Sequence, residues 1–324
     1  MTQQVRSFAK INLGLRIGPR RGDGFHDLLT LYQTIALHDL VRVSIGRGDG
    51  IEIRSNDPRV PPDESNTCYR IVELAARGLN ARGKIVVEIE KRLPVQGGMG
   101  GASSNAVASM LGLERALKKS LPADKRLKIA AEVGSDLPLF LIGGTVLGVG
   151  RGEQVYPLAD LPAMACVVVT PEIGVSTPKA FAEWDRLCGR SKLTSPVASD
   201  RMSQLASQYS AWLSESYSGA PRNTRNQRGR AENPLLKLVR TGIENDFEEV
   251  VFPEYPELSE IKQALLRAGA TYASLSGSGS TLYGLFASRD LTRAAAGRLR
   301  AQGLNARATA TLPRRVYWRR MFGG

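Results

Sequence analysis

Polar and apolar positions alternate from Val5 to Ile17, where Phe8, Ile11, Leu13, Leu15 and Ile17 are the apolar members. A period of two predicts a half-buried strand. Leu40 to Ile45 and Gly50 to Arg54 read as a hairpin pair, followed by a loop at Pro58 to Asp63. The period then lengthens: Ile71, Val72, Ala75 and Leu79 fall on one face of a helix predicted over Asn66 to Leu79. Lys84 to Glu90 returns to strand spacing. Ala106, Val107, Met110, Leu111, Leu113 and Leu117 predict a helix, with Ser103 or Ser104 as its N-cap. A further helix spans Lys125 to Val133, and Thr145 to Val149 is a strand. The unbroken apolar run Met164 to Thr170 predicts a strand buried on both faces. Thr177 caps a helix running to Leu187, with Pro178 in its first position. Helices at Leu235–Val250, Leu258–Ala268 and Leu291–Gln302 follow, with strands at Thr271–Leu275, Thr281–Phe286 and Ala306–Leu312. Strands and helices that do not strictly alternate predict an α+β fold, here in two lobes over residues 1–160 and 161–324.

One stretch departs from this patterning. Pro94, Val95, Gln96, Gly97, Gly98, Met99, Gly100, Gly101, Ala102, Ser103 and Ser104 form a glycine-rich loop between a strand and a helix. Absent side chains let backbone approach a ligand, and the free N–H groups of the helix's first turn then face it. A nucleotide phosphate fits that place. The loop lacks the Gly-Lys-Ser/Thr of a P-loop, and Ser103 stands where a dinucleotide fingerprint has its third glycine.

Composition narrows the classes. The chain has 324 residues, three scattered cysteines (Cys68, Cys166, Cys188) and two histidines, His26 and His38. That excludes a disulfide framework and a histidine-rich metal site. No apolar run is long enough to cross a bilayer, and residues 1–10 carry no signal-peptide pattern, so a cytoplasmic location is expected. The net charge of +13 is uneven: about +5 lies in a polar stretch at 190–230 and about +7 in 290–324. No nucleic-acid reading motif accompanies it, so a phosphate-binding cleft or a solvated surface is the expected reading. Residues 219–230, rich in Arg, Asn and Gly, read as mobile or disordered, whereas 199–213 has helical character.

The remaining chemistry is scattered. Lys10 and Asn12 interrupt the first strand, and Asp23-Gly24-Phe25-His26 closes a basic turn. Asp136 precedes the apolar run Leu137 to Ile142, and Ser276-Gly277-Ser278-Gly279-Ser280 lies between two strands. Each has an ordinary explanation as a surface pair, a packed corner, a cap or a hairpin turn. In this order, however, Ala9-Lys10-Ile11-Asn12-Leu13, Asp23 to His26, the glycine loop, Asp136-Leu137-Pro138-Leu139-Phe140 and Ser276 to Ser280 resemble the GHMP kinases. The opening Ala-Lys-Ile-Asn with Asp-Gly-Phe-His resembles the branch whose acceptor is a sugar alcohol carrying a cytidine diphosphate group.

The resemblance implies a two-lobed fold, the first lobe similar to ribosomal protein S5 domain 2, with ATP and the acceptor in the cleft. It implies that Lys10 and Asp136 are the catalytic pair and that Pro94 to Ser104 binds ATP with Mg²⁺. Asn66 and Lys91 match positions near the nucleotide base. Phe25, His26 and Phe181 match the cytidine corner, and Asn12 a contact to the acceptor end. Asp136 would accept the acceptor's proton as the O–P bond forms, while Lys10 offers positive charge. Gln96 and Ala102 depart from the family's smaller residues, and the polar insert at 189–230 has no counterpart. Two other readings stay open: a kinase for another small alcohol, and a catalytically silent nucleotide- or RNA-binding protein.

Overall fold

The computed structural model describes residues 2–95, 97–191, 207 and 244–323. The assignment of Gln96, the helical character expected at 199–213 (residue 207 apart), the mobility expected at 219–230 and most of the insert lie outside the described residues, as do residues 235–243 of the helix expected at 235–250.

Two long strands begin the chain. Strand β1 (Gln3–Arg20) pairs antiparallel with β2 (His26–Gly46) along nearly its whole length. On its other edge, β2 pairs with β4 (Lys84–Glu90) at one end and β5 (Thr145–Val149) at the other. Strands β3 (Ile51–Ser55) and β6 (Gln154–Pro157) complete a six-stranded sheet. The expected hairpin between Leu40–Ile45 and Gly50–Arg54 is not formed: β3 pairs in parallel with β4, which lies between it and β2. Helix α1 (Thr67–Leu79) connects β3 to β4, and such a crossover allows parallel pairing where a short turn would not.

Helices α2 (Gly101–Leu117), α3 (Ala123–Val133) and the one-turn α4 (Leu137–Phe140) follow. Buried side chains of α1, α2 and α3 share one core cluster with Val41, Val43, Val87 and Ile89 of the sheet. The second sheet has the order β10-β7-β9-β8, all antiparallel, from β7 (Ala165–Val169), β8 (Tyr272–Leu275), β9 (Leu282–Phe286) and β10 (Ala306–Ala310). Its strand β7 explains the unbroken apolar run. Cys166 and Val168 face a cluster shared with Ile11, Leu13 and Leu31 of the first sheet, whereas Val167 and Val169 face helices.

Those helices are α5 (Thr177–Ser191), α6 (Glu248–Glu254), α7 (Pro256–Arg267) and α8 (Arg289–Ala301). Helix α6 starts at Glu248, and the residues before it depart from the expected helix: Asn245 forms a bridge with Leu15. A final helix, α9 (Arg314–Phe322), was not expected from the pattern. It returns to the first lobe, where Tyr317 packs on Phe8 and its hydroxyl donates to the Phe140 carbonyl at 2.7 Å. No described helix is long and apolar enough to cross a membrane.

Candidate active site

The glycine loop ends sooner than its sequence suggested. Helix α2 begins at Gly101, and its N-cap is Gly100 in the left-handed region (φ 65°), with no side-chain cap. The serines expected to cap it are inside the helix: Ser104 is buried, its Oγ 2.7 Å from Ser7 Oγ. A side chain on Gly100 would meet Phe140 at 2.9 Å and Lys10 Cγ at 3.1 Å, so crowding as well as φ selects glycine. The first intrahelical acceptance is by the Gly100 carbonyl from the Ser104 N–H. The N–H groups of Gly101, Ala102 and Ser103 therefore lack intrahelical partners, and no acidic side chain occupies the first turn. Free N–H groups at the positive end of a helix dipole are suited to receive an anion.

Strand β1 carries the next component. Its register against β2 shifts between Phe8 and Lys10 and again between Asn12 and Gly14, so irregularities bracket Lys10 and Asn12. Such shifts re-aim side chains. Both residues are buried. Lys10 Nζ donates to Asn12 Oδ1 at 2.6 Å and lies 3.3 Å from Asp136 Oδ2. Asn12 in turn donates to Thr30 Oγ1 at 2.8 Å.

Asp136 stands at the entry of α4, its side chain 31% exposed. Its other oxygen accepts from the Tyr32 hydroxyl at 3.0 Å. Burial, reinforced by the neighbouring Asp136 charge, raises the Tyr32 phenol well above its ordinary pKa. Tyr32 thus remains a donor, and Asp136 is an oriented carboxylate with a free face toward the cavity.

The second glycine turn closes the site from the other lobe. Ser276 Oγ donates to the Gly98 carbonyl at 3.0 Å. The Asn245 side chain donates to the carbonyls of Leu275 and Gly277, at 2.9 and 2.8 Å, and so holds the turn from behind. Ser278 Oγ is 2.7 Å from Thr177 Oγ1 at the start of α5.

A cavity of about 620 Å³ joins these groups. Gly98, Gly100, Lys10 and Asp136 line one region; Phe25, His26, Phe181 and Asp185 line another. Phe25 is half exposed, and the Arg151 guanidinium lies 5.1 Å from its ring centroid. Phe181 stacks directly on His26, with centroids 5.2 Å apart and planes 11° apart. No base fits between those two rings.

Two expected nucleotide-side residues have other partners. Asn66 is the N-cap of α1: its Oδ1 accepts from Cys68 N at 2.8 Å, and its Nδ2 donates to Pro61 O at 2.6 Å. Lys91 forms a buried ion pair with Asp39, whose other oxygen accepts from the N–H groups of Arg92 and Leu93. That pair anchors the strand end from which the glycine loop departs. Met99 points into the core while its carbonyl accepts from Lys10 N at 3.0 Å. Ala102 is exposed, and Pro94 and Val95 are half-buried. Tyr32, Arg151 and Asp185 escaped the sequence reading. An aromatic in a strand reads as core, and only the setting of Arg151 among glycines could have marked it.

Comparison with known proteins fits this geometry. A family model described as the GHMP kinases N terminal domain matches residues 66–144, and GHMP kinases C terminal matches 231–305. A curated relative from Solibacter usitatus, 4-diphosphocytidyl-2-C-methyl-D-erythritol kinase, is 37% identical and covers 88% of this chain and 82% of its own. The chain belongs to the GHMP kinases. A Thermobifida fusca protein of the same name is 33% identical, with 92% of each chain covered. A crystal structure of 4-(cytidine 5'-diphospho)-2C-methyl-D-erythritol kinase superposes on this GHMP kinase with a TM-score of 0.71 at 27% identity, covering 95% of this chain and 99% of the other. Homoserine kinase from Cytophaga hutchinsonii, at 18% identity and a TM-score of 0.66, shares the fold.

Proposed function

We propose that this GHMP kinase transfers the γ-phosphoryl group of ATP to the 2-hydroxyl of 4-diphosphocytidyl-2-C-methyl-D-erythritol, in non-mevalonate isoprenoid precursor synthesis. The observation that carries the reading is Asp136: a carboxylate gripped by Lys10 and Tyr32 beside a helix-end anion site, in a cavity that continues to an aromatic corner. The curated relatives of that name support the choice of acceptor. The side-chain partners of Asp136 are Lys10 and Tyr32, and in this reading the nucleophile is the acceptor's own hydroxyl.

In this reading the loop amides and the first turn of α2 hold the donor's phosphates, and Lys10 meets the charge that develops on the transferred group. Asp136 takes the hydroxyl proton. Arg151 faces the acceptor's diphosphate, and Phe25 offers a ring for its base. Among the described residues no group of three His, Cys, Asp or Glu side chains could hold a metal. Mg²⁺ commonly takes one or two carboxylates and otherwise phosphates and water; bound with the donor, it would neutralise phosphate charge. The two lobes at 1–160 and 161–324 and a cytoplasmic location belong to the same reading.

The test is ADP release from ATP and Mg²⁺ with this acceptor, run beside homoserine and mevalonate. Turnover with the cytidine-diphosphate acceptor alone is expected, and Asp136→Asn should lower kcat by about 10²–10⁴. Turnover confined to homoserine or mevalonate would overturn the choice of acceptor; full activity in Asp136→Asn would overturn the base.

A further inference from the structure

The cytidine corner contains a carboxylate that the motifs did not announce. The resemblance places His26 at the cytidine corner, yet both of its ring nitrogens are engaged within the protein. Nδ1 lies 3.0 Å from the Gly18 carbonyl, which can only accept, so Nδ1 carries a proton. Nε2 lies 3.0 Å from Asp185 Oδ1. The ring is buried and covered on one face by Phe181. Its edge therefore has no unengaged nitrogen for a ligand.

Asp185 differs in each respect. It lies on α5 four residues after Phe181, on the same helical face, and both line the cavity. Its side chain remains 39% exposed. A carboxylate accepts at several lone-pair positions, and His26 uses one. Among the described residues, its other oxygen has Arg20 at 3.9 Å as its ion-pair partner, itself 65% exposed.

We propose that Asp185 is the residue that selects cytosine. Its carboxylate accepts from the exocyclic amino group, as acidic side chains accept from cytosine N4 elsewhere. Uracil places an oxygen at that position, and two acceptors then face each other in a partly desolvated pocket. His26 is a positioning residue, fixed by Gly18 and Phe181 and in turn fixing the carboxylate. This assignment rests on the cytidine reading of the acceptor.

The experiment measures CDP and UDP binding by calorimetry to the full chain, with a non-hydrolysable ATP analogue saturating the donor site. CDP should bind about tenfold or more tightly than UDP, and Asp185→Asn should bring the two within about threefold. Asp185→Glu, which keeps the acceptor, should retain the preference. An unchanged CDP-to-UDP ratio in Asp185→Asn, with both affinities falling together, would show that Asp185 only supports His26 and would overturn the proposal. So would equal affinities in the unaltered protein. A parallel kinase assay separates the two readings. A CDP preference lost in Asp185→Asn supports the assignment even where the methylerythritol acceptor is not phosphorylated, a result that would count against the kinase reading alone.

Discussion

Asp136 works through its neighbours. Lys10 supplies charge to one oxygen, and Tyr32 a hydrogen bond to the other. Lys10, Asn12 and Asp136 were legible because polar residues inside apolar runs demand a reason, and their order along the chain supplied one. Tyr32 was not, because its phenol is marked as functional only by what it touches. The geometry makes its role testable. A hydrogen bond to a charged group contributes about 1.5–3 kcal/mol, part of which water restores when the donor is lost. Tyr32→Phe should therefore lower kcat by about tenfold, with KM for ATP nearly unchanged, since the ring and its packing remain. Steady-state kinetics at saturating acceptor check this. A fall in ATP affinity instead would mean that Tyr32 shapes the donor site.

Elements were read well where one face is buried and poorly where tertiary pairing decides. The helices at 67–79 and 256–267 and the strand at 84–90 lie within two residues of their expected bounds. The false hairpin and the missed helix α9 have one cause: parallel pairing across α1 and the return of the chain end to Phe8 are long-range choices that local periodicity does not encode. Lys91, the basic residue before the glycine loop, pairs with buried Asp39, a partner that local sequence does not reveal. Strand β2 also carries a pH-sensitive contact. His38 is half-buried against Phe8, and burial lowers its pKa below the ordinary value, while its Nδ1 lies 2.9 Å from the Ala36 carbonyl. The unfolded chain then binds more protons than the folded one below about pH 6.5, so stability is full above that pH and declines as pH falls through the His38 range. Melting temperatures between about pH 7.5 and 5 should fall in the parent and fall less in His38→Gln. Parallel curves would place the titration elsewhere.

At the scale of the molecule, the two lobes meet at the active site through their glycine turns. A β-carbon on Gly98 would lie 2.2 Å from the Ser276 carbonyl, a backbone atom, and Gly98 sits at φ 74°. Neither problem can be relieved by rotating a side chain. Gly98→Ala must push the turn at 276–280 away from the donor loop, or abandon the left-handed conformation that the loop needs. Either response displaces the proposed phosphate cradle, because Ser276 Oγ and the Gly98 carbonyl are hydrogen-bonded across the junction. KM for ATP should rise by about tenfold or more, the scale of one lost charge-assisted hydrogen bond. Gly297 is the control. It lies within α8, and a β-carbon there meets nothing within 4 Å. Gly297→Ala should stabilise the protein by about 0.5–1 kcal/mol through helix propensity and leave ATP kinetics alone. Denaturant unfolding and ATP titration of the two variants separate a cost in folding from a cost in assembling the site. A Gly98→Ala protein with unaltered KM for ATP would show that the lobes can part at this junction without disturbing the donor site, and the close approach of the two turns would then be packing alone.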